Sequence, residues 1–125
     1  MSDQSKKKPI LQLLISSKGK KNFNFLDEMF HKCDSNQFSI LLVDQTTRQK
    51  NFKPFHKKYS FIYYNIPSNG LSNSRNFAIN KSDAEICLIC DDDVVFEKNF
   101  VDIIIKSFKT ETSADIITFR AKNTL

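Results

Sequence analysis

Five short stretches of this chain, residues 10–15, 38–43, 60–64, 86–90 and 116–119, are apolar almost without interruption and rich in β-branched or aromatic residues. Runs of this kind do not alternate as strands with one wet face do; they fit strands covered on both sides, as in a parallel sheet. Between them Phe23, Leu26, Phe30 and Cys33 recur at three-and-four spacing, and so do Phe100, Ile103, Ile104 and Phe108. Asn22 or Asn24 is placed to cap the first of these helices, and Asn99 precedes the second, with Asp102 near its positive end. A shorter helix is expected over residues 72–81, opened by Gly70 and capped by Ser72 or Asn73. The polar connection 45–59 carries no clear pattern. Strands alternating with helices predict an α/β domain with a mainly parallel sheet and right-handed crossovers.

With 125 residues, 40% of them hydrophobic, the chain can build one core without disulfides. We expect a single domain over residues 1–125, with residues 1–8 a flexible basic tail. No apolar run approaches the roughly 18 residues of a membrane span, and residues 10–15 are too short a run for a secretory signal; a cytoplasmic protein is expected. The formal net charge of +5 is concentrated at residues 6–8, 18–21 and 56–58. No nucleic-acid motif accompanies it. The excess reads as a solvated basic surface, one that suits peripheral docking on an anionic membrane face or attraction of a phosphorylated ligand. Cys87 and Cys90 form C-x-x-C, but three residues apart on a strand they face opposite ways, and no second pair completes a zinc site. All three cysteines are expected as reduced thiols, and His31 and His56 as isolated surface or packing residues.

In open parallel sheets, ligands bind outside the carboxyl ends of the strands. There the chain places Ser16 and Ser17 after its first strand, Asp44 and Gln45 after its second, and Asp91, Asp92 and Asp93 after its fourth. Three adjacent carboxylates repel one another, and something must offset that cost. Asp91 and Asp93, at i and i+2, suit a hard divalent cation, Mn2+ or Mg2+, whose other ligands are waters and substrate phosphates. An acidic turn in solvent is the plainer alternative for such a triplet taken alone; its place at the end of an apolar strand favours the metal. The segment GLSNSRN, residues 70–76, would set Arg75 in the first turn of a helix. A cation there opposes the helix dipole unless an anion rests on the free amides. Metal and anion sites together point to a metal–diphosphate ligand. Asp44 suits a nucleobase edge or ribose, or an Asx-type turn.

The ordered set LLISS, LLVDQT, GLSNSRNFAIN and EICLICDDDVVFEKNF resembles the nucleotide-sugar-binding part of family 2 glycosyltransferases, whose domain is the Rossmann-like GT-A fold, and in particular bacterial polysaccharide-building members. The resemblance spans residues 10–119. It implies transfer from a UDP- or GDP-sugar, with inversion, to a saccharide or lipid-linked acceptor hydroxyl. It further implies that Ser16 lines the nucleoside pocket, Asp44 contacts the base, Arg75 lies near the ribose or phosphates, Asp91 approaches the ribose or the metal shell, Asp93 holds the metal, and Asp92 tunes the local charge. Two departures stand out. Gln45 occupies the position of a common second acid, and the family's domain continues beyond the point matching Leu125 to an acceptor site and a carboxylate general base. On that comparison the chain is truncated, its general base is unassigned, and donor binding with weak or no transfer is expected.

Other readings fit less well. A nucleotidyltransferase also binds a metal–nucleotide at a sheet edge, yet it would carry a glycine-rich phosphate loop, and this chain has only Gly19 and Gly70. A dehalogenase-type phosphatase would bear its D-x-D on the first strand rather than the fourth, and a receiver domain would carry acids after its first and third strands. A catalytically incomplete nucleotide-sugar-binding module remains a second alternative.

Overall fold

The computed structural model describes residues 8–122. The expected basic tail therefore lies, apart from Lys8, outside the described residues. Four strands, β1 (Leu11–Ser17), β2 (Phe38–Asp44), β3 (Ile62–Asn65) and β4 (Ile86–Asp91), form one all-parallel sheet in the order β3-β2-β1-β4. Helices α1 (Phe25–Phe30), α2 (Leu71–Lys81) and α3 (Phe100–Thr110) flank it. The α/β architecture is the one the continuous apolar runs imply, but cover on both faces holds only for the central pair: β1 is wholly buried and β2 nearly so. The edge strands β3 and β4 keep exposed residues, among them Ile62 and Ile89, because no neighbouring strand or helix closes over them fully.

The two faces of the sheet differ in how they are covered. Leu11, Leu13 and Ile15 of β1, with Ile40 and Leu42 of β2, pack against Leu26, Met29 and Phe30 of α1 and Phe100, Val101 and Ile104 of α3. Aromatic rings fill much of this side. Phe30 stacks on Phe96 at 5.3 Å and touches the Phe38 ring at 4.7 Å. Each such pair adds about 0.5–1.5 kcal/mol beyond the area it buries. The opposite face has a smaller cluster, Leu14, Leu41, Val43 and Ala78, with Tyr64, Ile66 and Phe77 at its margin. Cys90 faces the larger core and Cys87 the exterior, as a three-residue separation on a strand requires.

Three expectations need correction. Residues 116–119 form no strand; Ile116 is 84% exposed and Phe119 42% exposed. An apolar run becomes a strand only where a ladder partner and a covering layer exist, and no strand of the described sheet pairs with this one. The first helix is shorter than its periodicity, because Phe23 reaches the core from the turn preceding α1, and Asn22 Oδ1 accepts the Asn24 N–H without capping the helix itself. Helix α2 starts at Leu71 with Gly70 as N-cap and no side-chain cap bond; Gly70 has φ 101°, a conformation side-chain-bearing residues rarely adopt. Asn73 does not cap but donates its Nδ2 back to the Asn69 carbonyl at 3.0 Å. Asn99 likewise makes no cap bond to α3.

Candidate functional site

The chain runs outward from β1 through β2 to β3, then crosses back over the sheet to β4 on the other side of β1. The strand order therefore reverses between β1 and β4, and a ligand cleft is expected beyond their carboxyl ends. Register aligns the polar residues there in a row: Asn65 opposite Asp44, Asp44 opposite Ser17, and Ser16 opposite Asp91. Because Ser16 and Asp91 are paired across the ladder, they share the face on which α2 lies. Successive residues of α2 reach them. The Ser74 and Ser16 hydroxyls share a buried 2.6 Å hydrogen bond, and an Arg75 terminal nitrogen donates to Asp91 Oδ1 at 3.2 Å.

Arg75 is thus brought to the acidic tip, although it lies in the second turn of α2 and not the first. Asp91, rather than an anion on the helix end, accounts for a cation at this position. The pair is partly exposed, so its own worth is at most about 1 kcal/mol. Two further groups are unsatisfied. Arg75 Nε and Ser17 Oγ are out of contact with solvent and have no hydrogen-bond partner among the described residues. A buried donor left in this way costs about 1–3 kcal/mol, which an acceptor oxygen would offset.

Asp91 and Asp93 are exposed and Asp92 is half-buried. Burial raises the Asp92 carboxyl above its ordinary value; Lys20 opposes this, and Asp93 and Asp91 add to it. Cys90, just inside, is pushed up to about 12 by burial and then by Asp91 and Asp92. The tip is therefore short of positive charge. Among the described residues no three His, Cys, Asp or Glu side chains converge into a closed cage. Asp91 and Asp93 stay open to solvent, and carboxylates of this kind are the ligand type a hard cation takes beside water and phosphate oxygens.

Asp44 occupies a different environment. It is 0% exposed, and its carboxylate is fully engaged. Oδ1 accepts the Thr46 N–H at 3.0 Å; Oδ2 accepts from Arg48 Nε at 2.8 Å and from the Tyr63 hydroxyl at 2.6 Å. Burial alone would raise its pKa, but the bonds from Arg48, Tyr63 and Thr46 outweigh that and hold it below the usual carboxylate value. Burial and then the Asp44 charge push the Tyr63 phenol well above its ordinary value. Arg48 is held in turn by the Lys20 carbonyl at 2.6 Å and lies 4.3 Å over the Phe52 ring. In this arrangement direct contact between Asp44 and a base requires exchange of one of these partners.

The same network joins the loops that follow β1, β2 and β3. Gly19 N–H donates to Thr46 Oγ1, Asn65 Nδ2 donates to the carbonyls of Asp44 and Thr46, and Gln45 Nε2 donates to the Gly70 carbonyl at 3.0 Å. Gln45, where a second acid was the commoner expectation, therefore ties the second strand to the start of α2. Sequence reasoning missed Arg48, Tyr63 and Ser74. Arg48 sits in an unpatterned loop and carried no signal; Ser74 was legible in principle, as the small residue one position before Arg75 on the sheet-facing side of a short helix. A cavity of about 230 Å³ near Ser39 and Tyr59 lies at the opposite edge of the sheet and gathers no comparable groups.

A family model described as glycosyl transferase family 2 matches residues 19–124. The chain belongs to this family. Comparison with curated proteins and with solved structures gives no match. Family 2 enzymes move a sugar from a nucleotide-sugar donor to an acceptor, and the matched span includes every candidate residue except Ser16 and Ser17, which lie on β1 just before it. Among the described residues of this family 2 glycosyltransferase domain, no helix is long and apolar enough to cross a membrane.

Proposed function

We propose that this domain binds a UDP- or GDP-sugar together with Mn2+ or Mg2+, for inverting transfer of the sugar to a saccharide or lipid-linked hydroxyl, as in assembly of cell-surface polysaccharide. The observation that carries the reading is the Arg75–Asp91 contact at the β1/β4 switch point, with Arg75 Nε buried and unpartnered beside it. A guanidinium held by an acidic tip, with a donor to spare, is suited to a diphosphate. Asp91 and Asp93 would hold the cation. Bound there, it would neutralise charge on the departing nucleoside diphosphate.

The chain's own residues would divide the remaining work. Arg75 places fixed positive charge beside the phosphates, where negative charge grows as the sugar leaves. Ser16, fixed by Ser74, lines the nucleoside side of the cleft. Asp44 shapes the base pocket through Arg48 and Tyr63, Gln45 fixes the distance between β2 and α2, and Asp92 adjusts the charge of the tip. Acceptor deprotonation requires a base, and none of these carboxylates is assigned to it. The runner-up, a binding module without transfer, shares the same donor site.

Titration calorimetry with UDP, GDP and their sugars, each with and without Mn2+, tests the reading. Binding is expected only when metal is present, and Asp93→Asn is expected to abolish it while the far-UV spectrum stays unchanged. Metal-independent binding, or full binding by the variant, would remove the proposed site.

A further inference from the structure

The loop between β2 and β3 carries a feature that the donor site does not use. Between Gln45 and Ser60 the chain has five cationic side chains, Arg48, Lys50, Lys53, Lys57 and Lys58, and no Asp or Glu. Arg48 is committed to Asp44, and among the described residues none of the four lysines pairs with a carboxylate. In their midst Phe55 is 72% exposed.

This exposure does not come from a loose loop. Phe52 is wedged beside Phe23, with ring centroids 6.1 Å apart, and lies beneath Arg48. Buried His56 accepts the Lys58 and Tyr59 N–H groups at its Nδ1, at 2.9 and 3.2 Å, and its Nε2 lies 3.2 Å from Asp27. Tyr59 is buried and its hydroxyl donates to the Phe30 carbonyl at 3.4 Å. Pro54 restricts the backbone just before the ring. Anchors at Phe52, His56 and Tyr59 thus alternate with outward-facing Lys53, Phe55, Lys57 and Lys58, and the ring is presented outward on a pinned turn. Ordering it on contact would cost little.

We infer that this turn is a docking surface for an anionic lipid bilayer, with Phe55 entering the interfacial layer and Lys53, Lys57 and Lys58 resting on the headgroup charge. A single exposed apolar ring among lysines matches a surface that is negative outside and apolar just beneath. Single-stranded nucleic acid, the other polyanion an aromatic can grip, is bound on successive stacking platforms, and here Phe55 is the one exposed ring of the loop. Lys58 and Tyr59 line the cavity at the end of the sheet opposite the strand carboxyl ends, so this part of the surface lies away from the donor site.

Co-sedimentation of the full chain with phosphatidylcholine vesicles, with and without phosphatidylglycerol, tests the inference. Binding is expected only to the anionic vesicles and should weaken with added salt. Replacing Lys53, Lys57 and Lys58 together by Gln should lower partitioning about a hundredfold, and Phe55→Ala about tenfold, with both variants melting as wild type does. If the triple variant melts lower, Phe55→Ala decides. Equal binding to neutral vesicles, no binding to either kind, wild-type partitioning by Phe55→Ala, or tighter Phe55-dependent binding to single-stranded RNA would each overturn it.

Discussion

Replacing Asp44 by Asn isolates the network that holds the loops around the candidate site. The carboxylate accepts three hydrogen bonds, two of them from Arg48 and Tyr63 side chains. Asparagine keeps an acceptor for the Thr46 amide but removes the charge, leaving the guanidinium, whose side chain is 11% exposed, without its counter-ion. Breaking one partner of a buried pair costs about 3–5 kcal/mol, a large share of the roughly 5–15 kcal/mol that holds a domain folded. The chain has no Trp, so urea unfolding is best followed by far-UV circular dichroism. Arg48→Met and the double variant complete a cycle, in which the two losses should be strongly non-additive. The pH dependence has a definite sign. A carboxyl whose folded pKa lies below its unfolded value stabilises above that unfolded value and loses the contribution as pH falls through the folded one. Wild type should therefore lose stability below about pH 4, and Asp44→Asn should flatten that fall. A loss under about 1 kcal/mol, or an unchanged acid limb, would refute the reasoning.

Further outcomes follow from the packing and the site. Ser74→Ala leaves Ser16 Oγ buried without its partner and should cost about 1–3 kcal/mol in urea unfolding. Phe30→Ala removes a ring that meets Phe38, Tyr59, Phe96 and Phe100 and should cost about 3–5 kcal/mol by the same measurement. Iodoacetamide followed by mass spectrometry should label exposed Cys87 in the native protein and leave Cys90 unmodified until unfolding, since burial and neighbouring acids push the Cys90 thiol up to about 12. Arg75→Ala should weaken nucleoside diphosphate affinity about tenfold or more in calorimetry while leaving the melting temperature nearly unchanged, because its one ion pair is partly exposed.

What could be read in advance was what depends on local pattern. Four of the five apolar runs hold strands because each finds a ladder partner, and Ser16, Asp44 and Asp91 fall at strand ends for the same reason. Helices and loops cover β1 and β2 on both faces, whereas β3 and β4, at the sheet edges, keep exposed residues. Residues 116–119 have the same composition and are not a strand, because composition does not carry a partner. The Arg75–Asp91 meeting follows from the crossover that lays α2 over β1. The burial of Asp44 could not be read from the chain. It depends on Tyr63, 19 residues away, and on Arg48, which is four residues on but in a loop where spacing says nothing about direction.

The central claim is that the acidic tip and Arg75 form one site for a metal and a diphosphate. Electron paramagnetic resonance of Mn2+ titrated with the protein tests it most directly. The free-ion signal should fall when UDP and wild-type protein are both present, beyond the loss UDP causes alone, and Asp93→Asn or Arg75→Ala should restore it. An equal fall with either variant, or none with wild type, would contradict the claim.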